Sequence, residues 1–153
     1  MLVDTVPAFD YQPTVSGPDV NMAAFGKLFT QPMVDNADWR ATWNPVAEIY
    51  FHQWDQEVGA DLDARTKYEY RAWNAAGALI GSFNTLEKLP NVSTRALVIA
   101  GRHDGITPAD AGAERIAGLL PNATLKVFEN SGHYPFIEEE AAFFEALKVW
   151  LAQ

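Results

Sequence analysis

The chain has 153 residues, 48% hydrophobic and 20% charged, with 20 acidic against 11 basic side chains and a net charge of −9. That length suits one domain or one and a fraction, with enough chain for a sizeable core. The acids are dispersed and there is no basic stripe, which argues against nucleic acid or an anionic membrane surface as partner, and the lack of cysteine excludes disulfides and a catalytic thiol.

No apolar run approaches the roughly 20 residues of a membrane helix. The opening MLVDTVPAFDYQP has neither a basic n-region nor a long apolar core, so it does not read as a secretory signal. A cytoplasmic location with no membrane partner is the expectation.

Leu2-Val3-Asp4-Thr5 reads as the end of a strand without its beginning. Two apolar residues run straight into an acid and then Pro7, whereas a buried strand usually has about five or six residues. A disordered tail is the alternative. Residues 7–35 are irregular, because Pro7, Pro13, Pro18 and Pro32, with Gly17 and Gly26, break any long element. One short helix is expected over Val20–Phe29, with Met22, Phe25, Leu28 and Phe29 on a common face. Asp35-Asn36-Ala37-Asp38 offers helix N-caps. Pro45 starts a better helix, with Val46, Ile49, Tyr50 and Trp54 at helical spacing. Another restarts at Ala60-Asp61-Leu62-Asp63, carries Tyr68, Ala72, Ala75, Ala76 and Leu79 on one side, and closes at Gly81.

This section is rich in rings: Trp39, Trp43, Tyr50, Phe51, Trp54, Tyr68, Tyr70 and Trp73. A helical, aromatic, loop-connected insert reads as a lid, with a few rings, Trp54 among them, lining a pocket. Plain helical core is the other reading.

From Phe83 the chain turns to sheet grammar. Thr85-Leu86-Glu87-Lys88-Leu89-Pro90 is a turn or short helix stopped by Pro90. Leu97-Val98-Ile99-Ala100 is apolar on both faces, as a buried parallel strand should be. Thr107-Pro108 reads as an N-cap followed by proline at the first helical position. The helix it opens carries Ala113, Ile116, Leu119 and Leu120 inward and stops at Pro121. Leu125–Val127 alternates with polar neighbours, as a strand nearer an edge does. A last helix from about Glu138 presents Phe143, Phe144, Leu147, Trp150 and Leu151 as an apolar stripe. Strand, loop, helix, strand is the βαβ unit of a parallel sheet, so the fold class is α/β.

Each strand runs into a loop with an ionisable residue. Gly101-Arg102-His103-Asp104 follows the first and Ser131-Gly132-His133 the second. Open parallel sheets place their chemistry at such carboxyl ends. An acid that orients an imidazole, and an imidazole that takes a hydroxyl proton, are two-thirds of a nucleophile–base–acid triad. Taken singly, Asp104 also fits a turn residue and His133 a structural loop histidine. His103 reads as a wall or surface residue. A metal site is the weaker option, because His52, His103 and His133 show no ligand spacing.

The stretches LVIAGRHDGITP and LKVFENSGHYPFIEE resemble the C-terminal end of the α/β-hydrolase fold, and more narrowly its proline iminopeptidase-like members. The resemblance implies that Asp104, in G-x-x-D-x-x-T-P, is the triad acid and that His133, in S-G-H-x-P, is the base. It covers 83–153 well and the earlier chain more loosely. The implied organisation is the end of a core strand at 1–6, a helical cap at 7–82 and the C-terminal core at 83–153. In such peptidases cap carboxylates hold the substrate's α-ammonium, which makes Glu48, Glu57 and Glu69 candidates; a solvated helix-face glutamate is the alternative for each. No cofactor is implied.

The departure from the family pattern is the nucleophile. It belongs in G-x-S-x-G on an earlier strand, and none of Ser16, Ser82, Ser93 and Ser131 has glycines at both −2 and +2. The segment for the oxyanion hole is absent too, and Met1 falls inside what would be strand six. The sequence therefore resembles the C-terminal half of a serine hydrolase of amide or ester bonds, inactive alone. Its expected partners are a peptide or small-molecule substrate and an N-terminal half that brings the nucleophile. The alternative is a non-catalytic binding or interaction module that pairs with another chain.

Overall fold

The computed structural model describes residues 1–15 and 21–153. Ser16, Gly17, Pro18 and Val20, which entered the sequence reading, lie outside them. The chain forms two compact units, one of residues 1–15, 50–53 and 83–153, the other of residues 16–49 and 54–82.

The first unit is built on a three-stranded parallel sheet in the order β1-β2-β3. Its strands are β1 (Leu2–Val3), β2 (Ala96–Gly101) and β3 (Ala123–Phe128). Val3 aligns with Ile99, and Gly101 with Phe128. Among the described residues β1 is two residues long, and β1 and β3 are the sheet's outer strands. Side chains of β2 alternate between two cores, as a strand's period of two requires. Val98 and Ala100 pack on Ala113 and Ile116 of α5 (Ala113–Leu119), with Leu120 just beyond it. Leu97 and Ile99 pack with Phe128 and with Phe143 of α7 (Glu140–Leu151).

The α5 helix starts later than Thr107-Pro108 predicts. The Thr107 hydroxyl is not a helix cap, because it donates to Asp104 Oδ2 at 2.7 Å. The C-terminal helix is also divided: α6 (Pro135–Glu138) precedes α7. Proline at the first position of α6 suits a helix start, where its missing N–H is no loss.

Residues 7–15, assigned to the cap from sequence, run with the sheet unit in the structure. Thr85 donates its backbone N–H to Pro7 O at 2.8 Å and its hydroxyl to the same oxygen at 2.9 Å. The Tyr11 hydroxyl donates to Ile106 O at 2.9 Å, and Arg115 grips both oxygens of Asp10. Residues 50–53 join the same unit through their backbone. Glu138 Oε1 accepts from the N–H groups of His52 and Gln53 at 2.8 and 3.0 Å.

The second unit is helical: α1 (Met22–Thr30), α2 (Asn36–Trp43), α3 (Gln56–Arg65) and α4 (Tyr70–Ile80). Asn21 and Asp35 cap α1 and α2 by accepting from Ala24 and Asp38. Pro45 opens a 3-10 stretch, Asn44–Tyr50, that ends before Trp54 instead of the longer helix expected. The single helix expected from Ala60 to Gly81 is two. Thr66 closes α3 by donating both its N–H and its hydroxyl to Leu62 O, and Glu69 then caps α4. Such local side-chain bonds outbid the continuous apolar spacing. Leu28, Met33 and Val46 form the core, packed against Trp39, Trp43 and Trp73. The rings of Trp39 and Trp73 stack at 5.4 Å. Asn74 clamps Met33, accepting from its N–H and donating to its C=O, both at 2.9 Å. No helix among the described residues is long and apolar enough to cross a membrane.

Candidate active site

Asp104 lies three residues beyond β2 and His133 five beyond β3, so adjacent parallel strands deliver both to one edge of the sheet. The structure brings them together: His133 Nδ1 is 2.8 Å from Asp104 Oδ2. The turns need glycine. A Cβ at Gly132 would fall 2.7 to 2.8 Å from Tyr50 O, His52 N and Phe51 C. One at Gly101 would collide with the carbonyl oxygens of Ser131 and Gly132. Those close approaches let the two loops cross, with His103 N–H donating to Ser131 O at 2.9 Å.

Asp104 is 3% exposed. Its Oδ1 accepts from the N–H groups of Ile106 and Thr107 at 2.8 and 3.0 Å, and its Oδ2 accepts from the Thr107 hydroxyl. Burial works to raise this carboxyl. Hydrogen bonding and charge from His133, with the bonds from Thr107, outweigh it and hold Asp104 below the usual carboxylate range. An ionised carboxylate only accepts, so Nδ1 carries the proton between them; in the neutral imidazole that leaves the lone pair on Nε2. Thr107 Oγ1 lies 3.4 Å from the same Nδ1, a long secondary contact.

His133 is fixed from several sides. Its N–H donates to Tyr50 O at 2.7 Å. The rings of Tyr50 and Tyr134 meet the imidazole edge-on at 5.2 and 5.4 Å. Burial pushes the Tyr134 hydroxyl up to about 12 and raises Tyr50 as well, so both stay neutral phenols. The loop is tied to α6 and the residue after it by two glutamates. Glu138 Oε2 accepts from Gly132 N–H, and Glu139 Oε2 from the Ser131 hydroxyl, each at 2.7 Å. Ser131 is fully buried and its hydroxyl is thereby committed.

Sequence reasoning missed Thr107, Glu138 and Glu139. The only signal for Thr107 was its place three residues after Asp104, where an Asx-type turn closes. The two glutamates read simply as a helix start. His103, expected at a wall or surface, is exposed and stacks on His52 at 3.7 Å.

The substrate-binding candidates Glu48, Glu57, Glu69 and Trp54 belong to the helical unit. Glu69 caps α4 and holds the Arg71 guanidinium through both oxygens at 2.9 and 3.0 Å. Hydrogen bonding from Arg71 keeps its carboxyl low. Glu57 is exposed in the first turn of α3, Glu48 is half-buried in the 3-10 stretch, and Trp54 lies over Gly59.

The model of the alpha/beta hydrolase fold family matches residues 20–140, and the chain belongs to that family. It is 31% identical over 96 residues to a proline iminopeptidase of Lactobacillus delbrueckii subsp. lactis, covering 63% of this chain and 32% of that protein. It is 30% identical over 77 residues to the AB hydrolase superfamily protein YclE of Bacillus subtilis, covering 50% of this chain and 27% of that one. Among solved structures, an esterase from Exiguobacterium antarcticum superposes with a TM-score of 0.72 at 18% identity, over 96% of this chain and 54% of the esterase. The chain thus spans about a third or less of these curated relatives and about half of that structure.

Proposed function

We propose that this chain carries the acid and base of a serine-type hydrolase of ester or amide bonds, His133 as general base and Asp104 as its orienter. The 2.8 Å bond between them, made at the ends of neighbouring parallel strands, carries the reading. Esterase and peptidase names among the similar proteins fit that bond class. The nucleophile is a serine outside these 153 residues, because Ser16, Ser82, Ser93 and Ser131 all lie outside any G-x-S-x-G and Ser131 is engaged with Glu139.

The chemistry follows from the tautomer. With Nδ1–H held by Asp104, Nε2 takes the serine proton as the oxygen attacks the carbonyl carbon. The imidazolium then returns that proton to the departing alcohol or amine. Water repeats the sequence on the acyl-enzyme and frees the acid. The buried Asp104 carboxylate stabilises the imidazolium in both halves. The partner that supplies the serine pairs at the outer edge of β1, the sheet's other terminal strand. The helical unit, the counterpart of the family's cap, carries Glu48, Glu57, Glu69 and Trp54 as the candidate substrate-binding residues.

The test is to express the chain joined to, or together with, a segment bearing G-x-S-x-G and to assay an aryl ester and an N-terminal proline amide. His133→Ala should abolish turnover without changing the fold. Turnover that survives this change overturns the reading. A chain that pairs with its partner yet shows no His133-dependent hydrolysis would instead be a binding module.

A further inference from the structure

Asp4 follows β1 and is not one of the Asp104–His133 pair. Its N–H donates to Ile99 O at 3.0 Å, and its Oδ1 accepts from Gly101 N–H at 2.9 Å. Its φ is 41°, and it is the one non-glycine residue with positive φ among the described residues. Aspartate and asparagine enter that region more readily than other L-residues, but at a cost. The side chain is only 9% exposed. Its second oxygen, Oδ2, is buried with no hydrogen-bond partner. A strained backbone thus holds one half-satisfied carboxyl at the carboxyl end of β1, beside the strand ends that carry Asp104 and His133.

The groups that act on this carboxyl come from each element around it. They are Gly101 N–H from the end of β2, His133 from the loop after β3, Asp104 from the loop after β2, and Glu138 from α6. Gly101 and His133 favour the ionised form, whereas Asp104 and Glu138 oppose it. Burial is the strongest influence, and it pushes Asp4 up to about 7.

We infer that Asp4 is a third ionisable member of this site, a carboxyl whose charge state is coupled to that of His133. Below neutrality Oδ2 carries a proton, which removes what would otherwise be a bare buried charge. When that proton leaves to solvent, the new negative charge favours the His133 imidazolium that the reaction must form. Asp4 is therefore a positioning residue that acts through the base. The catalytic consequence rests on the hydrolase reading; the coupling itself does not.

The experiment follows side-chain carboxyl carbons and histidine ring resonances by NMR from pH 5 to 9 in the full chain and in Asp4→Asn. Asparagine keeps the acceptor for Gly101 N–H and tolerates positive φ, so the variant retains the local fold. The expected result is an Asp4 carboxyl that titrates near neutral pH, with a second inflection at that pH in the His133 ring signals. That inflection should be missing from Asp4→Asn. An Asp4 carboxyl already ionised at pH 5 overturns the inference, and this readout needs no variant. Superimposable His133 curves in the two proteins overturn it as well. Either failure, with His133-dependent hydrolysis intact, removes the role of Asp4 and leaves the hydrolase reading standing. Loss of that hydrolysis with the coupling intact does the reverse.

Discussion

The two units differ in where they bury acidic residues. In the helical unit Asp35, Asp55 and Glu69 cap helices, and Asp38, Asp61, Asp63 and Glu69 pair with Lys27, Arg65, Arg40 and Arg71 near the surface. Their work is local and structural. In the sheet unit Asp4 and Asp104 are buried at strand ends, where backbone N–H groups and an imidazole compete with desolvation. A carboxylate on a helix surface can be satisfied by its own turn. One at the end of a parallel strand is placed by topology, so it meets groups distant in sequence. That is why the buried carboxylates gather in the sheet unit.

Function and stability should therefore divide between the units. The largest effect belongs to the acid–base pair. In the enzyme completed by its serine, Asp104→Asn should lower kcat by about 10⁴-fold, with His133→Ala at least as severe. A stopped assay on the aryl ester measures both.

Next come the glycines that let the loops cross. Gly132→Ala drives a methyl into the backbone of residues 50–52 and should cost more than about 4 kcal/mol, or prevent folding. Chemical denaturation reads this directly. An alanine tolerated at Gly132 would mean that the loops do not approach as described.

The buried carboxyl at Asp4 gives a pH dependence of definite sign. Its folded pKa, about 7, stands above its ordinary value of 3.8. The folded chain therefore binds the extra proton between these values, and stability is lost as pH rises from about 4 through about 7. The loss from this group is at most about 4 kcal/mol. Asp4→Asn should remove that slope, so that its melting temperature exceeds wild type more at pH 8 than at pH 5. Parallel curves would place the Asp4 carboxyl in the ordinary range.

The smallest effect lies in the helical unit. Asn74→Ala leaves the Met33 N–H and C=O without their clamp and should cost about 1–3 kcal/mol. The same denaturation experiment resolves it. A change in ester turnover at saturating substrate would blur the division between the units.

The sequence makes β2, β3 and the meeting of Asp104 with His133 legible for a physical reason. β2 is apolar on both faces, which only a buried parallel strand requires, and glycines mark the turns where Asp104 and His133 emerge. The partners that fix the pair are harder to read. Thr107 resembles a helix cap by every local criterion, and only the fold shows that its hydroxyl points to Asp104 instead of opening α5. Glu138 and Glu139 lie in an acidic run that suits a helix start, and their bonds to residues 52, 53 and 130–132 depend on how the loops cross. The break between α3 and α4 is hidden for the opposite reason. The apolar spacing runs through it, and the decisive bonds are the short-range ones of Thr66 and Glu69. Asp4 gives no signal in sequence, because its burial and its unpaired oxygen arise only when β1 joins β2.

The proposed chemistry requires Asp104 to hold His133 as an Nδ1–H imidazole with Nε2 free to act as base. The most direct test is the nitrogen-15 spectrum of the His133 ring in wild type and in Asp104→Asn at a pH where the ring is neutral. The expected result is a single Nδ1–H tautomer in wild type, with a strongly downfield hydrogen-bonded proton that disappears in the variant. An Nε2–H tautomer, or a mixture unchanged by the substitution, would contradict it.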